Sequence, residues 1–409
     1  MSTLRPGPAA TARVGIGANA SWEFAVGEAL AGLADLTPDL VVVVCGSAFV
    51  DDMPAIAAEV WRSLHAPLVF GASGRGVIAQ HTEYEVGATV ALMGLSLPGA
   101  VLSPVHLTHR LLEGTTDALA CHRRLNVISE DVNGWLLLAN PFRFDTQFAL
   151  STLEMAYPAT PIVGGLASPD AGTRQTALLI NGEAIFDGAI ALGIGGPYEL
   201  LPLVSHGCEP IGQTWTITDA AGDWIETIGG RPSMHIVDDI LQSTPHDLRS
   251  RTRRNLLVGL AIDEYRADFA RGDFLIRAIA GIDQPSGAIA IGARPRPGQT
   301  LQFQLRDAIT ADLDLIVCLD DLLLKLTGLD PIALLAFAGQ ERGANFFESD
   351  SHDALAIQRA LPGIATIGLY TAGEIGPAGT SAAIHTMSLT LGMIARRRQD
   401  GGSAHHASA

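Results

Sequence analysis

The chain has 409 residues, 48% hydrophobic and 17% charged, with 44 glycines and a formal charge of −17 at pH 7. That length exceeds one ordinary core and fits about two domains. Its acidic balance repels phosphate backbones and anionic lipids, which argues against nucleic acid and membrane surfaces as partners.

In chain order, the first ten residues hold no apolar h-region, so no signal peptide is expected. Gly15-Ile16-Gly17 is a lone G-x-G and reads as turn chemistry. Residues 40–44 form a short continuous apolar run, expected of a strand buried on both faces. A helix is predicted over 53–64, where Met53, Ile56, Ala57, Val60 and Leu64 fall on one face. Residues 66–70 give a second strand, ending in the loop Gly71-Ala72-Ser73-Gly74-Arg75-Gly76, and residues 86–95 give another. No apolar run approaches the roughly 20 residues that span a bilayer.

The same order recurs at 135–139, 146–157 and 160–163, closing on Gly164-Gly165-Leu166-Ala167-Ser168. Residues 176–180 then turn at Asn181-Gly182 into 184–186, a type I′ hairpin signal. Residues 201–240 read differently, as short strands with a hairpin loop at 219–223 and a helix over 233–242 opened by Pro232-Ser233. Arg294-Pro295-Arg296-Pro297-Gly298 reads as an extended connector. A third round follows at 333–337, 352–360 and 364–367, with a loop over 368–376 and an apolar stretch over 382–394. Val41 to Gly71, Leu136 to Gly164 and Leu334 to Gly368 span 30, 28 and 34 residues, about one strand–helix–strand crossover each.

The expected fold is therefore α/β: repeated strand–helix–strand units with glycine-rich loops and additional antiparallel strands. Two related domains, 12–200 and 201–394, would pack into one sandwich-like body, with a disordered tail over 395–409. Ligands in such sheets bind at the carboxyl ends of strands, which directs attention to the glycine loops. Cys45, Cys121, Cys208 and Cys318 stand apart with no C-x-x-C pair. That excludes a disulfide framework and a zinc ribbon and suits a reduced, cytoplasmic setting.

The loop at 71–78 with 92–99 downstream resembles the N-terminal FIST domain. The segments at 206–212, 216–218 and 230–232 are similar to the middle of that family. Residues 337–343 and Gly373-Glu374-Ile375-Gly376-Pro377, with His385, resemble its C-terminal domain. The resemblance implies a sensory module for a small ligand, an amino acid or small carboxylate, with a downstream signalling protein as partner and no catalysis. It also implies haem as an alternative cofactor, since some members are reported to bind it. The chain departs from the family pattern at Ala72 and Ala338, where a cysteine is frequent.

The candidate ligand-binding residues come from the three loops and their surroundings. The first supplies Gly71, Ser73, Gly74 and Arg75, and the second Gly164 and Gly165. The C-terminal part supplies Arg342, Gly343, Thr371, Glu374, Gly376 and His385. Arg75 and Arg342 can each present a planar fork to a carboxylate. Glu374 can hold an ammonium group, so an arginine and a glutamate facing one cleft would suit an amino acid. The residues also leave open a Ser73/Glu374/His385 catalytic grouping, and a weak metal site at His206 and Cys208.

Overall fold

One unit of structure is built three times. In the computed structural model, which describes residues 9–398 except 245, 247, 248, 267 and 271, the first copy starts with β1 (Thr11–Ala18), α1 (Trp22–Ala31) and β2 (Leu40–Gly46). It continues through α2 (Met53–Leu64), β3 (Leu68–Gly74), a hairpin of β4 (Val77–Ala79) and β5 (Thr82–Tyr84), and β6 (Thr89–Ser96). The second copy is β7 (Val101–Leu107), α3 (His109–Leu112), α4 (Ala118–Leu125), β8 (Gly134–Ala139), α5 (Thr146–Ala156) and β9 (Ile162–Leu166). Its hairpin is β10 (Leu178–Ile180) with β11 (Glu183–Ile185), and it closes on β12 (Ala189–Gly195).

The third copy opens with β13 (Tyr198–Ser205) and is interrupted by an inserted layer. That layer comprises β14 (Glu209–Ala221), β15 (Trp224–Ile228), β16 (Arg231–Pro232), α6 (Ser233–Ser243) and α7 (Arg249–Asn255). It ends with β17 (Leu256–Ala261), β18 (Phe274–Asp283), β19 (Ala288–Ile291) and β20 (Thr300–Leu305), and these strands form a separate seven-stranded sheet. The copy resumes with α8 (Ala308–Lys325), β21 (Leu329–Gly339), α9 (Ala344–Phe347), α10 (His352–Ala360) and β22 (Ala365–Thr371). A hairpin of β23 (Glu374–Ala378) and β24 (Ser381–His385) precedes the final β25 (Leu389–Arg397).

Each copy contributes one parallel pair, β2/β3, β8/β9 or β21/β22. None keeps its own hairpin. The first copy's β4 pairs with β22, the second's β10 with β3, and the third's β23 with β9. The sheets thus run β1-β6-β2-β3-β10-β11, β7-β12-β8-β9-β23-β24 and β13-β25-β21-β22-β4-β5. The exchange closes on itself, so every sheet is completed by another copy.

Burial on both faces explains the apolar strands. Leu40, Val42 and Val44 point into a common core with Phe70, Leu138, Leu192, Leu335 and Ile367, where the inner faces of all three sheets meet. Val41 and Val43 point outward and are covered by Val26 of α1 and Ile56 and Val60 of α2. Leu150 of α5 and Leu315 of α8 belong to the corresponding clusters over the other two sheets. The inserted layer has a core of its own around Ile217, Ile236, Val258 and Phe303.

The structure relocates several sequence expectations. Gly71 and Gly164 lie inside β3 and β9 and not in loops, as does Gly368 in β22. A Cβ on these three would come within 1.9 Å of Val43 O, 1.8 Å of Leu137 O and 2.1 Å of Ala336 O. Their recurrence therefore records how closely paired strands approach. Position 200 falls within β13, residues 395–397 belong to β25, and 399–409 lie outside the described residues. No helix among the described residues is long and apolar enough to cross a membrane.

Candidate functional site

The carboxyl ends of the three parallel pairs are sewn together by hydrogen bonds. Arg75 N donates to Ser168 Oγ at 2.7 Å, and that hydroxyl donates in turn to Tyr370 O. Tyr370 N donates to Gly76 O at 3.0 Å, Leu166 N to Gly373 O at 2.8 Å, and Ser73 N to Ala177 O at 2.9 Å. Ser168 is thus the point where all three copies touch.

Beside it, a cleft of about 290 Å³ opens at the seam between the β4–β5 hairpin and the end of β21. Arg75, Glu85, Glu341, Gly343, Phe346 and Tyr370 are among the residues that line it. That volume sits at the small end of the ~300–1,000 Å³ typical of ligand sites. The Arg75 side chain is half-buried, and its guanidinium has no hydrogen bond or ion pair among the described residues. Glu341 is exposed, and Glu85 is partly committed, its Oε1 accepting Ala344 N at 2.6 Å. Arg306 lies over the Phe346 ring at 3.9 Å; burial first, and then nearby Arg342, push its pKa down to about 10. Larger grooves flank the β23–β24 turn, but in the one of about 590 Å³ Arg266 is paired with Asp273 and Arg296 with Glu264.

Arg342 and Glu374 do not join Arg75 in this cleft. The Arg342 side chain turns inward, fully buried, and forms a bidentate pair with Asp353, Nε to Oδ2 at 2.7 Å and Nη2 to Oδ1 at 2.8 Å. Burial works to raise the Asp353 carboxyl, but Arg342 and the neighbouring His352 outweigh it and hold the pKa near 2. Glu83 stands beside this pair, accepting Ala354 N at 2.8 Å and the Tyr370 hydroxyl at 2.5 Å. Burial, and then the Asp353 charge, push its pKa up to about 7.

Glu374 is equally enclosed. Its Oε1 accepts the Thr371 hydroxyl at 2.8 Å, and its Oε2 accepts Ser388 N at 2.9 Å and Ser388 Oγ at 2.8 Å. Burial raises its pKa to about 7 despite those donors. His385 is buried edge-on to His206, ring centres 4.9 Å apart, with Nε2 near the Gly376 and Pro377 carbonyls at 3.3 and 3.2 Å. Burial, with His206 second, lowers its pKa to about 3, so it is held neutral.

The Ser73/Glu374/His385 grouping is not assembled, because each member is engaged elsewhere; Ser73 Oγ accepts Ala177 N at 2.9 Å. Gly74 ends β3, Gly165 lies in β9 and Gly376 in β23, all within the packed body. Gly207, with φ +66°, separates His206 from Cys208 and breaks the strand on which they were expected to share a face. Among the described residues no cluster of His, Cys, Asp or Glu could hold a metal ion. The cavity next to His206, lined by Phe269, Phe274 and Ile276, measures about 60 Å³. A haem macrocycle needs several times that, and the residues beside His385 and His206 do not fit it in this conformation.

Asp353, Glu83, Tyr370 and Ser168 escaped the sequence reading. Asp353 carried a signal: it shares the inner face of the predicted helix with Ala354 and Ile357, and a buried arginine needs a carboxylate partner.

Two family models match the chain, the FIST N domain over residues 39–231 and the FIST C domain over 235–377. The chain belongs to the FIST family. Its cleft is lined by residues of both matched segments, Arg75 and Glu85 from FIST N and Glu341 to Tyr370 from FIST C. FIST domains are generally taken as sensory modules for small ligands. Among relatives of this FIST protein, Uncharacterized protein Rv0628c of Mycobacterium tuberculosis is 32% identical over 388 residues, covering 93% of this chain and 99% of the relative. Uncharacterized protein Mb0898c of Mycobacterium bovis is 30% identical over 370 residues, covering 90% and 94%. A solved structure of Thermotoga maritima PurL complexed with ATP aligns at 10% identity with a TM-score of 0.24, covering 95% of this chain and 72% of that one.

Proposed function

We propose that this protein is a cytoplasmic small-molecule sensor whose ligand, an amino acid or another small carboxylate, sits in the cleft at the β4–β5 seam. The unpaired Arg75 guanidinium carries this reading. A cation half-withdrawn from water gains most from a ligand carboxylate, which it grips through two parallel hydrogen bonds. Glu341 across the cleft supplies the opposite charge for an ammonium group. A cleft offering both charges binds a zwitterion better than a simple anion.

The position also suits signalling. The seam joins the hairpin of the first copy to the third sheet, so an occupant favours one docking of the exchanged hairpin over another. A ligand shifts such an equilibrium by its differential affinity for the two states, and a partner protein reads the result. The test is a thermal-shift panel of amino acids and small carboxylates on the intact protein and on Arg75→Ala. A ligand at 100 times its dissociation constant stabilises the fold by about 2.7 kcal/mol. Stabilisation by at least one compound, abolished in Arg75→Ala, is expected. Equal stabilisation of both proteins removes Arg75 and this cleft from the account.

A further inference from the structure

The cleft of Arg75 has a counterpart elsewhere in the ring. In the third sheet the exchanged hairpin opens with Val77 opposite Leu369, two residues before the end of β22. In the first sheet it opens with Leu178 opposite Ala72, two residues before the end of β3. Val77 pairs with Tyr84 and Leu178 with Ile185. By that register Thr176 takes the place of Arg75, and Phe186 the place of Glu85. A second cleft, of about 180 Å³, opens at this spot, lined by Val50, Asp51, Arg143, Arg174, Thr176 and Phe186 among others.

Same place, different chemistry. Glu85 of the first cleft is replaced by an aromatic ring, and two arginines reach in from neighbouring loops. Neither Arg143 nor Arg174 has an ion pair or a hydrogen bond to its guanidinium among the described residues; Arg174 lies over the Phe142 ring at 4.9 Å. Elsewhere on this acidic surface Arg62, Arg231, Arg397 and Arg398 each hold a carboxylate. The loop carrying Arg143 is fixed, because Asn140 Oδ1 accepts Phe142 N at 2.9 Å and Arg143 N at 3.1 Å while its Nδ2 donates to Phe186 O at 2.9 Å. Thr176, 2% exposed, has a hydroxyl with no partner. The single carboxylate in the lining is Asp51.

We propose that this second cleft binds a small oxyanion without an ammonium end, its charged group held between Arg143 and Arg174 and its carbon skeleton against Phe186 and Val50. Two forked guanidinium groups match the planar oxygens of a carboxylate or the faces of a phosphate, and Phe186, standing where the first cleft has Glu85, leaves one carboxylate fewer to repel an anion.

The experiment is a calorimetric and thermal-shift titration of the intact protein with inorganic phosphate and, separately, succinate, against sodium chloride at matched ionic strength. Saturable binding of at least one oxyanion is expected, and the stronger arm identifies phosphate or carboxylate as the natural group. Both arginines are exposed, so Arg143→Ala with Arg174→Ala folds and weakens binding about tenfold or more. Arg174→Lys keeps the charge, loses the fork and weakens binding several-fold, whereas Arg231→Ala, at an exposed arginine of the inserted layer paired with Asp239, leaves it unchanged. The proposal is overturned if neither oxyanion binds, if chloride reproduces the effect, if the double variant binds as well as the parent, or if Arg231→Ala weakens binding as much as the double variant.

Discussion

Arg342 and Arg75 stand beside glycines at the two sides of one seam, and the fold uses them in opposite ways. On the helix side, Arg342 is sealed from water and spends its fork on Asp353, with Glu83, Tyr370 and His352 packed around the pair. On the open side, Arg75 keeps its backbone in the seam through Ser168 and leaves its charge uncommitted. The difference teaches that an arginine's role is set by whether a dedicated carboxylate is buried with it. One residue is part of the frame, the other is on offer to a ligand.

The comparison breaks most visibly at Arg342. Arg342→Ala leaves Asp353 charged and buried without its counter-ion, so unfolding by urea is expected about 3–5 kcal/mol sooner. A loss below about 1 kcal/mol would put the pair outside the frame. A smaller effect comes from Glu374, whose folded pKa is raised to about 7 from 4.5. Between those values the folded protein holds a proton that the unfolded chain has released, so stability falls as pH rises through the window. Glu374→Gln removes that slope. Relative to the variant, the parent protein should lose on the order of 2 kcal/mol from pH 5 to pH 8 in chemical denaturation. Measuring the difference cancels the opposite slope of His385, held neutral in the fold.

Gly207 sharpens the same contrast, since its φ of +66° lies where Arg342 is walled in. A Cβ there would approach Ala311 Cβ to 2.9 Å and Arg342 Nη1 to 3.1 Å. Gly207→Ala should cost about 1–2 kcal/mol, read from the thermal midpoint. The smallest stability effect belongs to Arg75→Ala, within about 0.5 kcal/mol of the parent, because a half-buried cation without a protein partner supports little in the fold. Its cost is expected in ligand binding alone.

Much of the frame was legible in the sequence. The run at 40–44 announced a strand buried on both faces, and it is covered by the common core on one side and by α1 and α2 on the other. Asn181-Gly182 announced its hairpin, and both residues adopt positive φ, 48° and 82°. What stayed hidden was where that hairpin goes. Period and turn chemistry are local, whereas docking on a different copy is decided by register across a hundred residues or more. Helix α8 was missed for a related reason: Ile309, Leu313, Ile316 and Val317 are apolar yet exposed, so its apolar residues ring the helix and blur the one-sided pattern. The Arg342 site misled because sequence shows an arginine among glycines and not the carboxylate eleven residues on.

The closed exchange of hairpins also sets a schedule for the ribosome. Val77 leaves it about 290 residues before its partner Leu369, an interval of roughly 15–60 s at ~5–20 residues per second. Throughout that time β4 and β5 have no sheet to join, and the second sheet lacks β23 as well. The nascent N-terminal half must wait, with strand edges uncovered, for β22 and β23 to close the ring.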